Sequence, residues 1–253
     1  MQAQLDGHVS LVTGGGSGIG FAIAEGLCQR GASVVVADIS GATRAAAELR
    51  DCGYTAFGID GDVTSEMDVD RMVDAAVVEF GGLDILVNNA GIYASLTPQP
   101  FDALQISDWR RVFEVNVFGM FACCRSASRV MKARGGGRIV NISSGVAFKG
   151  NPYMVHYVAS KGAVISLTRA LATEMGAHAI LVNSIAPGFT LSENVIRNPM
   201  LIEGVKGPSL RNRVIARDMV PDDLVGAACF FAGPDAAFIT GQTLVVDGGA
   251  YFH

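Results

Sequence analysis

Seven short apolar runs, each followed by a longer stretch of helical character, constrain this 253-residue chain more than any other feature. Val9–Thr13, Ser33–Ala37, Thr55–Ile59, Ile85–Asn88, Arg138–Ile142, Leu181–Ile185 and Thr243–Val246 read as strands. Several are unbroken Val/Ile/Leu runs, the pattern of strands covered on both faces. Helical patterns occupy Gly18–Arg30, Gly41–Asp51, Ser65–Phe80, Ser107–Lys132 and Val155–Met175. Such alternation predicts an α/β architecture: one doubly wound, seven-stranded parallel sheet with helices on both faces. A single domain over residues 1–253 is expected, without linker or repeat. The longest aperiodic segment, residues 189–217, is expected to form a substrate-binding loop or lid.

The turn after the first strand reads Thr13-Gly14-Gly15-Gly16-Ser17-Gly18-Ile19-Gly20. Glycines there permit a tight turn and let a pyrophosphate approach the backbone. The helix that starts at once offers free N–H groups and a favourable dipole. The turn lacks the Gly-Lys-Ser/Thr ending of a P-loop. Asp38 ends the second strand, where a carboxylate can accept hydrogen bonds from adenosine ribose hydroxyls and repel a 2′-phosphate. Ile39 and Ser40 add no positive charge, so NAD is expected rather than NADP. Asp38 as a helix N-cap is the competing role.

Tyr157 and Lys161 stand four apart at the start of a long helical pattern, on one face. An ammonium beside a phenol favours the phenolate, which would make the pair a general acid/base near neutral pH. The fifth strand ends in Asn141-Ile142-Ser143-Ser144-Gly145 and the fourth in Asn88-Asn89-Ala90-Gly91. Both ends fall at the carboxyl edge of the sheet, where such folds bind ligands.

Taken in order, these motifs resemble the short-chain dehydrogenase/reductase family over essentially the whole chain. Gly14, Gly18 and Gly20 resemble its TGxxxGxG, Asn88 to Gly91 its NNAG, and Tyr157 with Lys161 its YxxxK. Asp62-Val63 resembles the pair that touches adenine, Asn116 the helix asparagine, Pro187-Gly188 the turn after the sixth strand, and Gly241-Gln242 with Val246–Gly249 the C-terminal strand region. The resemblance implies Tyr157 as general acid/base, Ser144 as the group that orients and polarises the substrate oxygen, and Lys161 as holder of the nicotinamide ribose. It implies for Asn116 a water that links Lys161 to a proton relay. Implied cofactor contacts include Ser17, Ile19, Ile39, Asn89, Ala90, Gly91, Pro187 and Gly188. Ser144 is preferred to Ser143 by its thirteen-residue spacing from Tyr157. Thr190 or Ser192 would meet the nicotinamide carboxamide, and the sequence leaves that choice open.

Composition narrows the function from outside. Half the residues are hydrophobic and 17% charged, which supplies a core and excludes wholesale disorder. A net charge of -5 without a basic run argues against a nucleic-acid surface. The polar start, Met1 to Asp6, has no signal-peptide pattern. Five scattered cysteines read as small buried hydrophobes in a reducing compartment, so a cytoplasmic location is expected. Val146, Ala147, Phe148, Tyr153, Met154 and Phe189 flank the expected site, with Val146 and Phe189 the nominated substrate contacts beside Ser144 and Tyr157. Their apolar character favours a secondary alcohol or ketone with an aromatic or alicyclic group. His156 reads as structural; Arg211, Arg213 and Arg217 could meet an anionic group, but a solvated helix face is the favoured reading. The competing functions are an NADPH-dependent 3-oxoacyl carrier-protein reductase, an idle NAD-binding scaffold, and a sugar-nucleotide epimerase. No metal is expected. The resemblance implies a homotetramer through the Ser107–Lys132 and Val155–Met175 helices.

Overall fold

The computed structural model describes residues 4–252, so Met1 to Ala3 of the polar start lie outside the described residues. Its strands are β1 (Val9–Thr13), β2 (Ser33–Asp38), β3 (Ala56–Asp60), β4 (Ile85–Asn88), β5 (Gly137–Ile142), β6 (Ile180–Pro187) and β7 (Thr243–Val246). They form one seven-stranded sheet in the order β3-β2-β1-β4-β5-β6-β7. Every neighbouring pair is parallel. The order reverses between β1 and β4, and the crevice beyond their carboxyl ends is where open sheets of this kind take ligands.

The helices are α1 (Gly18–Cys28), α2 (Ala42–Asp51), α3 (Glu66–Phe80), α4 (Ile106–Phe113), α5 (Met120–Arg134), α6 (Val146–Lys149), α7 (Val155–Met175), α8 (Glu193–Ile196), α9 (Pro199–Leu201), α10 (Gly207–Arg211) and α11 (Val225–Ala232). Strand alternation divides the core into two layers. Val12, Val34, Val36, Ile85 and Val87 point to the side of α1, α2 and α11, where they meet Ile23, Leu27, Leu49 and Ala228. Leu11, Val35, Leu86 and Ile139 point to the side of α3, α5 and α7, where they meet Met72, Cys124, Met131 and Val164. Successive side chains of a strand face opposite ways, and this is why unbroken apolar runs appear in the sequence.

Local signals set several helix ends. The Ser65 hydroxyl accepts from the Asp68 N–H at the start of α3, and Gly81, at φ 84°, closes it. Lys132 and Arg134 lie in the last turn of α5, beside its C-terminal dipole, and Gly135, at φ 88°, follows. The expected Ser107–Lys132 helix is α4 and α5 joined by a π-helical segment, Glu114–Gly119. One departure is α11, which the periodicity did not reveal. Its sequence, Val-Gly-Ala-Ala-Cys-Phe-Phe-Ala, is apolar on nearly every face and so carries no amphipathic signature. Another is Cys52, which is exposed; the other four thiols are buried as expected. Among the described residues, no helix is long and apolar enough to cross a membrane.

Candidate active site

The carboxyl ends of the central strands open into a cleft of about 600 Å³. Its floor is stitched together by polar side chains. Thr13 Oγ1 accepts from the N–H groups of Asn89 and Ala90, both at 3.2 Å. Asn89 Nδ2 donates to the carbonyls of Thr13 (3.2 Å) and Gly14 (2.9 Å). The amide of Asn89 therefore braces the glycine turn, while the residue still lines the cleft. Asn88 donates to Asn141 (2.9 Å), which donates to Thr168 on α7 (3.0 Å), so β4, β5 and α7 are tied beneath the site.

At one end lies the glycine turn. Gly14 has φ 63°, and a Cβ there would come within 2.8 Å of Ala90. Gly20 does not line the cleft. A Cβ on it would meet the Gly14 carbonyl oxygen at 2.0 Å, so this glycine lets α1 close on the turn. Ser17 stands at the N-cap of α1 but makes no side-chain cap bond, which leaves the first-turn N–H groups without a side-chain acceptor where Ser17, Gly18 and Ile19 line the cleft. The Asp38 carboxylate accepts from Gly16 N–H (2.9 Å) and Ser40 N–H (3.4 Å). It lines the cleft with Ser17, Gly18, Ile19, Ile39, Asp62 and Val63. One cation in this region escaped the sequence reading. Arg44, in the first turns of α2, donates to the Gly16 carbonyl (3.1 Å) and pairs with Glu48.

Ser144, Tyr157 and Lys161 stand together farther along the cleft. Ser143 donates its hydroxyl to the Lys161 carbonyl (2.8 Å), which occupies it. Ser144 hydrogen-bonds with the Tyr157 phenol. Both serines line the cleft, and Ser144 is the one beside the phenol. Burial pushes the Tyr157 phenol up to about 12, and the Ser144 bond opposes that rise. Burial pushes the Lys161 ammonium down to about 8. Its Nζ donates to the Ile142 carbonyl (2.9 Å) and sits 5.8 Å from the centre of the Tyr157 ring. Here the structure differs from the simple expectation: desolvation sets the phenol's affinity for its proton, and the influence that opposes it is Ser144 rather than the Lys161 ammonium. Tyr93, unremarked in the sequence, packs its ring 4.9 Å from that of Tyr157.

Asn116 lies in the π-helical segment and is fully buried behind this group rather than on the cleft wall. Its Oδ1 accepts from Ile92 N–H (2.8 Å), and its Nδ2 donates to Ser160 Oγ (3.2 Å). It therefore anchors the strand-β4 loop to α7. Ala90, Gly91, Pro187, Gly188, Val146, Phe189, Thr190 and Ser192 all line the cleft. Thr190 turns its hydroxyl to the Gly188 carbonyl (3.0 Å), while Ser192 packs on Gly18. Of the other apolar candidates, Met154 is buried in the cluster behind Tyr157, Phe148 stacks on Tyr251, and Tyr153 is exposed. His156 is buried against Trp109, in keeping with a structural part.

The aperiodic segment is a chain of short helices, α8 to α10, with a π-helical stretch at Ile202–Lys206. Val195 and Leu201 pack with Leu96, Val112 and Tyr157. Asn194 reaches Ser17 (3.4 Å), and Asn198 donates to the Ala94 carbonyl (2.7 Å), so the segment roofs the cleft from the glycine turn to the β4 loop. Arg213 corrects the expectation of a solvated helix face. It is buried against the cleft, whereas Arg217 is exposed and pairs with Asp223. The three arginines do not share one helix: α10 ends at Arg211.

The family model of the short chain dehydrogenases matches residues 8–199, the span that carries the glycine turn, Ser144, Tyr157 and Lys161. The chain belongs to the short-chain dehydrogenase/reductase family. It is 40% identical over 243 residues to cis-4-hydroxycyclohexanecarboxylate dehydrogenase of Sinomonas cyclohexanicum, with 96% of each chain covered. It is 38% identical over 248 residues to 7alpha-hydroxysteroid dehydrogenase of Escherichia coli K12, covering 97% of this chain and 95% of that one. A structure of 7alpha-hydroxysteroid dehydrogenase with NADH and 7-oxo glycochenodeoxycholic acid superposes with a TM-score of 0.90 at 37% identity, covering 98% and 96% of the two chains. This short-chain dehydrogenase/reductase is accordingly an oxidoreductase that acts on alcohols, an alcohol dehydrogenase or ketone reductase of the short-chain type.

Proposed function

We propose that the chain uses NAD to interconvert a hydrophobic, aromatic or alicyclic secondary alcohol and its ketone. The observation that carries this reading is the single cleft that joins Asp38 and the uncapped start of α1 to Ser144, Tyr157 and Lys161. Its dimensions and donors fit a dinucleotide. Gly14 leaves room where a side chain would strike Ala90, the first-turn N–H groups of α1 would receive a pyrophosphate, and Asp38 would accept from an adenosine ribose. Asp62 and Val63 would border the adenine, with Ile19, Ile39, Ala90, Gly91, Pro187 and Gly188 along the rest and Thr190 or Ser192 at the carboxamide end. The NADH in the 7alpha-hydroxysteroid dehydrogenase structure supports the choice of cofactor.

When bound, NAD supplies the acceptor for the carbinol hydride. The protein's share is position and proton transfer. Ser144 holds the substrate oxygen, and Tyr157 Oη takes the hydroxyl proton. In reduction, Tyr157 returns that proton. A phenol that burial holds near 12 needs positive charge close by to act near neutral pH. Lys161 is charged at pH 7, below its value of about 8; it would favour the phenolate and hold the nicotinamide ribose when the cofactor is bound. Asn116 fixes the β4 loop, which lines the cleft, against α7. Val146 and Phe189 supply apolar walls for the substrate.

Arg44 favours a second reading, NADPH-dependent reduction of a 3-oxoacyl carrier protein, because a guanidinium beside the ribose site could meet a 2′-phosphate. Against it stand the Asp38 carboxylate on the turn and the pairing of Arg44 with Glu48. Fluorescence titration with NADH and NADPH decides between them. NADH should bind on the order of tenfold more tightly or better, and Asp38→Ala should narrow that advantage. Tighter NADPH binding would place the second reading first.

A homotetramer is part of the same proposal. Phe118 and Phe121 expose large apolar rings on the π-helical segment and α5, where the family resemblance places subunit contacts. Light scattering on the purified protein tests it. The five free thiols fit a reducing, cytoplasmic compartment, which fractionation of the native host checks.

A further inference from the structure

Arg213 presents a buried charge that the reaction described above does not use. Only 9% of it is exposed. Its guanidinium donates to the backbone carbonyls of Phe189 and, at 3.1 Å, Arg217. Among the described residues no carboxylate forms an ion pair with it: Asp223, whose carboxyl feels the Arg213 charge, makes its pair with Arg217 instead. Asp247, which flanks Gly188 on the same side, turns its Oδ1 to the N–H groups of Gly249 (2.9 Å) and Ala250 (3.0 Å) instead. A guanidinium has five N–H donors, and charges of this kind are seldom buried without an anion. Arg213 lines the catalytic cleft beside Phe189, a nominated substrate wall.

The charge around it points the same way. Beyond the adenosine end, the cleft is lined by Arg111, Lys149 and Arg213, with Asp247 the one carboxylate among the lining residues there. That bias occurs in a chain whose net charge is -5. We propose that the substrate carries a carboxylate remote from its carbinol, and that Arg213 anchors it. The substrate class is then a hydroxy acid with an apolar, alicyclic or aromatic body. Ser144 and Tyr157 hold its hydroxyl end and the guanidinium holds its acid end. Two fixed ends set the orientation of the carbinol, which one polar anchor in an apolar pocket would leave free to rotate. This inference rests on the alcohol dehydrogenase reading.

The test measures binding to the NADH-loaded protein, where an alcohol cannot react because the cofactor is already reduced. The probes are cis-4-hydroxycyclohexanecarboxylate and its uncharged carboxamide, followed through bound NADH fluorescence. The acid should bind on the order of tenfold more tightly than the amide, as a charge-assisted pair demands. Arg213→Gln should bring the two affinities within about threefold of each other, and Arg213→Lys should keep part of the preference. Equal affinities in the unaltered protein, or binding of neither probe, would overturn the anchor. So would an acid preference that survives Arg213→Gln, which would move the anion to Arg111 or Lys149. If Arg213→Gln weakens NADH itself and leaves the acid-to-amide ratio unchanged, the cation serves a cofactor phosphate and the proposal falls. Failure of the unaltered protein to bind NADH would count instead against the dehydrogenase reading. The comparison of acid with amide needs no variant, so it stands even if a substitution at Arg213 disturbs the roof.

Discussion

Lys161 makes a measurable demand on stability. Burial lowers its pKa from 10.5 to about 8, so at neutral pH the folded chain holds an ammonium in a place that disfavours it. Each pKa unit corresponds to 1.36 kcal/mol, which puts the penalty at about 3 kcal/mol at pH 7. The sign follows from proton counts. Between about pH 8 and 10.5 the unfolded chain keeps its proton on Lys161 while the folded chain loses it, so this group's contribution to stability rises with pH. It is complete above 10.5 and lost as pH falls through about 8. Replacing Lys161 with Met removes that dependence. It also removes the Nζ bond to the Ile142 carbonyl (2.9 Å), at a cost of about 1–3 kcal/mol that does not vary with pH. Urea unfolding of both proteins without cofactor, at matched concentration and at pH 7 and 10, isolates the effect as a difference. From pH 7 to 10 the unaltered protein should gain roughly 2–3 kcal/mol relative to Lys161→Met. Parallel pH profiles would refute the reasoning, and so would a relative loss. Activity should vanish in the variant whichever way stability moves.

Tyr157→Phe should keep NADH affinity within about threefold and lower kcat by on the order of a hundredfold or more; a variant with ordinary turnover would remove the proton-transfer role. Gly20→Ala should destabilise the fold and abolish cofactor binding together, because its Cβ would meet the Gly14 oxygen at 2.0 Å. A melting temperature within a degree or so of the unaltered protein would show that α1 can shift to admit it. Phe118→Ser with Phe121→Ser should lower the mass seen by light scattering and leave the monomer folded by circular dichroism. An unchanged mass would locate the subunit contacts elsewhere.

The sheet was legible because each strand is a local apolar run, and the chemistry because each motif is short and contiguous. Tyr157 and Lys161 need only a helix to share a face. Gly14 to Gly20 need only a strand before them and a helix after. What escaped depends on contacts between distant parts of the chain. Tyr93, after β4, meets Tyr157 on α7, and Arg44 reaches Gly16 across 28 residues. Arg213 shows the same limit from the other side. Arginine in an aperiodic stretch is ordinarily solvated, and only the roof folded over the cleft buries it. Helix α11 was lost for a different reason, since an element buried all round has no polar face to mark its period.

The π-helical segment Glu114–Gly119 gives one long helix two phases. A π turn accommodates one more residue than an α turn, so everything after it is rotated by about 100° relative to a regular helix. Val112 and Tyr157 share a cluster at the site end, while Cys123, Cys124, Ala127 and Met131 face the sheet from beyond the insertion. Removing a single residue between Glu114 and Gly119 would swing one of these two sets away from its partners, like a gear advanced by one tooth. Change within this helix is therefore confined to substitution, and the segment that seats Asn116 also fixes the length of the chain on either side of it.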